Sequence, residues 1–373
     1  MSRHIQNRLA AVRKNRGLGA AELAQRVGVS RQTIYAMEAG TYVPNTEVTL
    51  RLARELDVSV EEIFSLPVEA PTAVAPIATR VLSAGMATKG QPARLCRVGD
   101  QWVSVPVSAC PYYLPEADAV ISRQGRTGVR ADVVPFTRDN AFKKRLVVAG
   151  CDPAASLLAA VVEKTTGIEV VSAAASSKLA LSWLKEGATH IAGSHLEDPE
   201  TGEFNLPYLR QHFPNEDFAV ITFAQWEEGL VVAPANPKRI SKIEHLASRS
   251  VQFVNREVGS GARALADRLL REAGLAPSRV RGYQVEAYGH LAAAYAVVAG
   301  DADCCIATRA AAQAFGLDFI PLKSERYDLV MRRRTLQLPA VQSFLDVLQL
   351  ANLRRQLEVF AGYDTTVTGT VLA

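Results

Sequence analysis

Over the first 65 residues the apolar positions recur at helical spacing. Ile5, Leu9 and Val12 predict a first helix that Gly17 ends. Leu23, Ala24 and Val27 predict a second, with Gly28 in the turn after it. Ser30 is placed to cap a third helix, Arg31 to Ala39, and Gly40 to close it, because a left-handed residue is favoured there. Thr46 is placed to cap a fourth helix with Leu50, Leu52, Ala53 and Leu56 as its apolar positions. Ser59 and Glu62 form a capping box for a short fifth helix ending near Phe64. Five short helices can close one small core.

The pattern then changes twice. Residues 67–78, PVEAPTAVAPIA, are rich in Pro and Ala with almost no charge and read as an extended linker. Residues 79–140 hold short β-branched and aromatic runs (RLCRV, WVSVPVS, DAVISRQG, VRADVVPF) separated by turn residues, which predicts a small β-rich module. From Arg145 onward strands alternate with helices: RLVVAG, then DPAASLLAAVVEKTTG, then IEVVSAAA, then SSKLALSWLKEG, and so on. That alternation predicts an α/β domain over 141–373 with a mostly parallel sheet. The expected domains are therefore 1–66, a linker 67–78, 79–140 and 141–373.

Composition agrees with a soluble, core-forming chain: 48% hydrophobic and 21% charged over 373 residues. A net charge of +4 is too small to identify a nucleic-acid binder. Its distribution says more, since residues 1–31 carry Arg3, Arg8, Arg13, Lys14, Arg16, Arg26 and Arg31 against one acid, Glu22, which suits a phosphate backbone. The N-terminus has no apolar signal region, and the stretch LAAAYAVVAGDADCCIA is cut by Asp301 and Asp303, so neither export nor a membrane span is expected and the cytoplasm is. Five cysteines without CxxC spacing read as free thiols; Cys304 and Cys305, on a predicted buried strand, read as core.

Residues 18–40, LGAAELAQRVGVSRQTIYAMEAG, have the layout of a helix-turn-helix, whose second helix enters the major groove. Its first turn offers Arg31, Gln32 and Thr33, with Tyr35 on the same side; Arg pairs with guanine and Gln with adenine. Ser30 caps that turn, and Thr41 and Tyr42 can donate to phosphates. With Pro44 and VSVEEIF behind it, the stretch over about residues 3–65 resembles the Cro/C1-type (XRE) helix-turn-helix family. The resemblance implies a five-helix domain working as a dimer on a near-palindromic operator. The chain departs from the family where a Ser-Gln pair usually opens the second helix; here it has Gly19-Ala20-Ala21, which removes a usual phosphate contact.

In the large domain the chief chemical motif is VNREVGSGARAL, 254–265. A strand runs into Gly259-Ser260-Gly261 and a helix follows, a turn whose free N–H groups suit an anion. Arg256 and Arg263 add charge and Ser260 a hydroxyl, although each serine can equally be a helix cap. Asp152 with Ser156, and Ser176 with Ser177, stand at two similar helix starts. His195 and His290 flank turns and are candidates to face a ligand or to hold structure by hydrogen bonds; a metal at His195 would need more converging ligands than its neighbourhood in sequence offers, and no metal or cofactor is expected.

Residues 141–373 resemble the periplasmic-binding-protein-like domain related to molybdate- and tungstate-binding proteins, on AGSHLEDPETGEFNLPYL, EGLVVAPANPKRI, FVNREVGSGARAL, GHLAAAYAVVAGDAD and GLDFIPLKSERYDLV. The resemblance implies two α/β lobes joined by crossing strands, with a molybdenum-linked oxyanion or pterin-type ligand between them. Two departures reshape that pocket: Ala262 replaces a usual Thr, and Asp303-Cys304-Cys305-Ile306-Ala307 replaces a Gly-rich stretch.

The expected fold is thus multidomain: an all-α helix-turn-helix domain, a small β-rich connecting module and an α/β two-lobed periplasmic-binding-protein-like (type II) domain. No GxSxG elbow, P-loop, HExxH or GxGxxG after the first strand occurs, and no enzyme is expected. The expected function is a ligand-responsive regulator that binds operator DNA and a small anionic or polar effector, as a homodimer or larger homo-oligomer. The alternatives are a molybdenum-cofactor-related enzyme or carrier with autoregulatory DNA binding, and a DNA-binding protein that needs no ligand.

Overall fold

The computed structural model describes residues 5–65, 75–107, 116–137 and 145–373. The chain divides into two units, Met1–Ala73 and Val74–Ala373.

The first unit is helical. β1 (Gln6–Asn7) pairs antiparallel with β2 (Phe64–Ser65) and ties its ends together. Between them lie α1 (Leu9–Asn15), α2 (Ala20–Val27), α3 (Arg31–Glu38), α4 (Thr46–Leu56) and α5 (Val60–Ile63). Leu9, Leu23, Val27, Ile34, Met37, Leu52, Leu56 and Ile63 form the core. Ile5 stands outside the first helix and is exposed. The Asn7 side chain takes the Leu9 N–H at 2.9 Å, so the helix starts after the β1 pairing. Asn45, with extended backbone, caps α4 by accepting from Val48 N–H at 2.9 Å; Thr46 is already helical and is not the cap. Leu50 falls on the solvent side of α4. The Ser59–Glu62 capping box is present in both directions.

The second unit opens with a five-stranded closed barrel: β3 (Ile77–Val81), β4 (Pro92–Val98), β5 (Gln101–Pro106), β6 (Ala119–Gln124) and β7 (Arg130–Pro135), in the order β3-β5-β4-β6-β7. The expected linker 67–78 falls outside the described residues up to 74, and its last two residues already belong to β3, where Ile77 pairs with Val133. Closure leaves no free edge. Val81, Leu95, Ile121 and Val133 fill the barrel, while Leu82, Cys96, Val103 and Val105 pack onto the domain that follows. Arg145 pairs with Asp118 of the barrel at 2.7 Å and with Glu169, joining the two.

The domain beyond it has one eight-stranded mixed sheet. Its strands are β8 (Arg145–Gly150), β9 (Glu169–Ala174), β10 (Ile191–Ser194), β11 (Phe218–Val232), β12 (Phe253–Arg256), β13 (Glu286–Ala287), β14 (Cys304–Thr308) and β15 (Asp318–Arg332), in the order β13-β12-β14-β11-β15-β10-β8-β9. Both flanks are parallel, as the alternation predicts, but the centre is not. There β11 and β15, fifteen residues each, pair antiparallel along their whole length. Each spans about 50 Å at the usual rise, enough to run through both lobes. FAVITFAQWEEGLVV is therefore one continuous crossing strand.

The first lobe is covered by α6 (Ala155–Thr166), α7 (Ser177–Lys185), α8 (Leu206–His212), and later by α12 (Pro339–Val347) and α13 (Ala351–Gln356); the second carries α9 (Gly261–Glu272), α10 (His290–Val298) and α11 (Arg309–Ala314). No helix among the described residues is long and apolar enough to cross a membrane.

Candidate functional site

In the helical unit the exposed start of α3 carries the expected base-reading set. Ser30 accepts from Thr33 N–H at 3.0 Å and fixes the first turn. Arg31, Gln32 and Tyr35 are exposed and Ile34 and Met37 are buried, which is the helical phase the sequence predicts. The Arg31 guanidinium donates to Tyr35 Oη at 3.0 Å and lies over its ring. Thr41 is exposed, and its hydroxyl donates to Ala36 C=O at 3.0 Å, a bond that a phosphate contact would have to replace. Tyr42 is exposed. Arg13 is a correction, since it is buried and forks onto both oxygens of Glu38, at 2.6 and 3.1 Å. Gly19 caps α2 without any side-chain bond, in keeping with the missing Ser-Gln pair.

In the large domain the ends of β8 and β10, the crossing strands and the starts of α9 and α10 meet at one buried polar cluster. Cys151 follows β8, and its Sγ lies 3.4 Å from His195 Nε2, just past β10. His195 Nδ1 faces Glu325 Oε2 of β15 at 2.7 Å and Glu228 Oε1 of β11 at 3.7 Å. Glu228 Oε1 lies 3.6 Å from His290 Nε2, the first residue of α10. Trp226 and Tyr327 wall the cluster, with the Trp226 ring 5.3 Å from that of His195.

Burial dominates the electrostatics. It pushes Glu228 up to about 8, with the nearby Glu325 carboxylate adding to the shift. For His195 burial opposes the charged form, but Cys151, Glu325 and Glu228 together outweigh it and hold the imidazole well above its usual range. His290 goes the other way, because burial, Arg256 and His195 all disfavour its protonated form. Both Glu228 oxygens, both His290 nitrogens, Arg256 Nη1 and Trp226 Nε1 are buried with no hydrogen-bond partner. Native proteins rarely leave such groups bare, and each costs about 1–3 kcal/mol.

Two openings lead here. A cavity of about 490 Å³ lies between the barrel (Ser83, Gly85, Pro106) and the lobes (Ser176, Glu257, Tyr288), and one of about 240 Å³ lies against Asp152, His290 and Tyr327. Cys151 lines both.

Against known proteins, a model described as a PBP superfamily domain matches residues 158–349, and a helix-turn-helix domain model matches 7–66. The chain belongs to the PBP superfamily. Its N-terminal unit is an XRE-type helix-turn-helix: an uncharacterized HTH-type transcriptional regulator of Methanothermobacter thermautotrophicus is 51% identical over 55 residues, 14% of this chain and 80% of that one. The uncharacterized protein YvgK of Bacillus subtilis is 36% identical over 187 residues, 50% of this chain, and the chain spans only 60% of that protein's length. Among solved structures, a tungstate ABC transporter protein from Geobacter sulfurreducens aligns at TM-score 0.44 and 16% identity, covering 59% of this chain and 99% of that one.

Within this PBP-superfamily domain the predicted ligand residues divide sharply. His195 and His290 lie at the centre of the cluster, and Arg256 is buried with its Nη1 lacking a hydrogen-bond partner. Ser177 Oγ accepts from the His195 backbone N–H at 3.2 Å and so holds the main chain there, and Ser176 lines the larger cavity. Asp152 lines the smaller one but is engaged by Tyr363 Oη at 2.6 Å and by Ala154 N–H; burial raises it to about 6. Ser156 is exposed on the outer face of α6 and takes no part. Ser260 is a cap, accepting from Arg263 N–H and donating to Glu257 C=O. Arg263 is turned away, paired with Asp267 and Glu286 and stacked on Tyr283. Gly261 packs against the His195 ring with no room for a Cβ.

Sequence reasoning missed Cys151, Glu228, Glu325, Glu257 and Trp226. One signal was available: Glu228 is an acid in the middle of the apolar run FAVITFAQWEEGLVV. Cys304 and Cys305 are fully buried core residues, as expected.

Proposed function

We propose that this protein is a one-component transcriptional regulator acting in the cytoplasm as a homodimer, with α3 reading a short operator and the interlobe cluster binding a small polar effector. The observation that carries the reading is the set of bare polar atoms on Glu228, Arg256, His290 and Trp226, contributed by both lobes and a crossing strand. An effector satisfying them favours the closed arrangement of the lobes. It can shift the open–closed balance only by its difference in affinity for the two forms. A changed lobe angle re-spaces two DNA heads, and affinity depends on half-site geometry.

The effector's charge is the point on which the site departs from the family resemblance. Arg256 is held by Glu257 at 2.8 Å and Arg263 by its own acids, while Asp152, Glu228, Glu257 and Glu325 surround the same space. With both arginines already paired to acids, their charge is largely spent, which weighs against molybdate or tungstate and favours a neutral polar or cationic effector. A second reading has one observation in its favour: Cys151, His195 and Glu325 stand in line as a nucleophile, a base and an orienting acid do.

The test uses the full-length protein to select an operator from randomised duplex DNA. Operator affinity is then followed by fluorescence anisotropy as molybdate, tungstate, a pterin, polar metabolites and divalent ions are added in turn. A selected sequence whose affinity moves severalfold with one addition is the expected result. Failure to select any sequence would sink the regulator reading, and an operator indifferent to every addition would favour the ligand-independent one.

A further inference from the structure

The interlobe cluster has the donor set of a metal site. We propose that it binds a divalent d-block ion of the zinc class, held by Cys151, His195 and His290, and that this ion is the effector; the inference rests on the regulatory reading above.

The Cys151 Sγ, a His195 nitrogen and a His290 nitrogen lie within 4.8 Å of one another. In a tetrahedral zinc site, bond lengths of about 2.3 Å to sulfur and 2.0 Å to nitrogen place ligand atoms about 3.5 Å apart. Cys151 Sγ and His195 Nε2, at 3.4 Å, already stand at that separation. An organic molecule cannot fit among three donors so close together, whereas an ion can.

The groups behind the donors match as well. Metal-bound histidines usually give their other nitrogen to a carboxylate, which fixes the tautomer. Glu325 takes that place on His195 Nδ1 at 2.7 Å, leaving Nε2 to face the sulfur. Glu228 stands beside His290 Nε2 at 3.6 Å, too far for a hydrogen bond and near enough to form one after a small shift. His290 and Glu228 are the independent observation: both are fully buried, and neither has a hydrogen-bond partner for any side-chain polar atom. A thiolate with two imidazoles selects zinc, cobalt, nickel or copper over the harder magnesium and calcium. Cys151 lines both cavities, so an ion can reach it.

Placement makes the ion a clamp. Cys151 and His195 end strands of the first lobe, and His290 begins a helix of the second. Opening the lobes removes His290 from the set, so the ion binds the closed form better, which is the differential affinity an effector needs.

Full-length protein, stripped with a chelator and kept reduced, is titrated with Co²⁺ and then with Zn²⁺. The expected result is one equivalent of Co²⁺ with a thiolate-to-cobalt charge-transfer band that Zn²⁺ abolishes. Cys151→Ser is expected to lose the band and His290→Gln to weaken binding tenfold or more, with circular dichroism confirming that each folds. Without any variant, Zn²⁺ is expected to protect Cys151 from iodoacetamide, read by mass spectrometry. A featureless cobalt spectrum, or a Cys151 alkylated equally with and without Zn²⁺, overturns the metal site. If that happens while another small molecule still moves operator affinity, the regulatory reading survives and only the metal falls. If Zn²⁺ binds through these residues but leaves operator affinity unchanged, its role as effector falls.

Discussion

Gly261, the first residue of α9, lies flat against the imidazole of His195, with no room between them for a side chain: a Cβ built there would overlap the ring. The glycine of the GSG turn is therefore required by close approach across the lobes. Gly261→Ala is expected to push the ring off Glu325 and Cys151. It should destabilise the domain by roughly 1–3 kcal/mol, the usual range for overpacking, and remove the stabilisation that Zn²⁺ or another effector confers. Ser260→Ala, which deletes only a cap, should lose about 1 kcal/mol and keep that response. Thermal melts of both variants with and without Zn²⁺ decide the matter; a Gly261→Ala protein that responds like the parent would show that His195 is free to move.

Arg31 and Tyr35 are the exposed pair at the start of α3, and their mutual bond holds the guanidinium along the helix in the free protein. On DNA that bond can be exchanged for guanine. Arg31→Ala is expected to weaken operator binding by roughly 1–3 kcal/mol, with the loss concentrated at one base position. Anisotropy on the operator and on its single-base variants reads this. A uniform loss across all sequences would instead assign Arg31 to a phosphate.

The helical unit was legible because its signals are local. Caps, turn glycines and the 3.6 period lie within a few residues of one another, and even the error at Thr46 is a shift of one position to Asn45. The cluster was only half legible. His195, His290 and Arg256 announce themselves beside turns, but Cys151, Glu228 and Glu325 come from separate strands and meet only through the sheet order. Within the serine-and-arginine reading of the GSG turn, Ser260 and Arg263 are engaged inside the fold, while Arg256 keeps an unpartnered nitrogen. The partners of Arg263 capture its charge: Asp267 is an i,i+4 neighbour on the same helix, and Glu286 is brought near only by the fold.

Arg13 illustrates the same capture in the DNA-binding unit. Its guanidinium is bidentate to Glu38 and also donates to Leu18 C=O at 2.8 Å, bolting α1 to the end of α3. The Glu38 carboxylate raises Arg13 above its usual range against the opposing cost of burial. Glu38→Gln leaves that charge buried without a full partner, and a loss of roughly 2 kcal/mol or more is expected for this unit. Chemical denaturation of the full chain, followed by helical circular dichroism, measures it. An Arg13→Met/Glu38→Leu double variant should recover most of the loss, because removing both charges removes the stranded one. Equal destabilisation in the single and double variants would mean that packing, rather than charge, is what the pair supplies.

His190 yields a prediction about pH. Its Nδ1 accepts from Val147 N–H at 3.0 Å, while the His190 backbone N–H donates to Val147 C=O, so the buried ring must keep that nitrogen unprotonated to hold β8 and β10 in register. Burial lowers it to about 4 from its ordinary value of 6.5. The unfolded chain therefore binds the proton more readily than the folded one between those two values. Stability from this residue is full above about pH 6.5, falls as pH drops through that window, and stops changing below about 4. A shift of this size corresponds to roughly 3 kcal/mol at most. In denaturant melts across pH 4–7, His190→Gln, whose side-chain oxygen can neither titrate nor gain a proton there, should be less stable than the parent at pH 7 and show a flatter pH dependence. Parallel curves for the two proteins would place the acid sensitivity of the domain elsewhere.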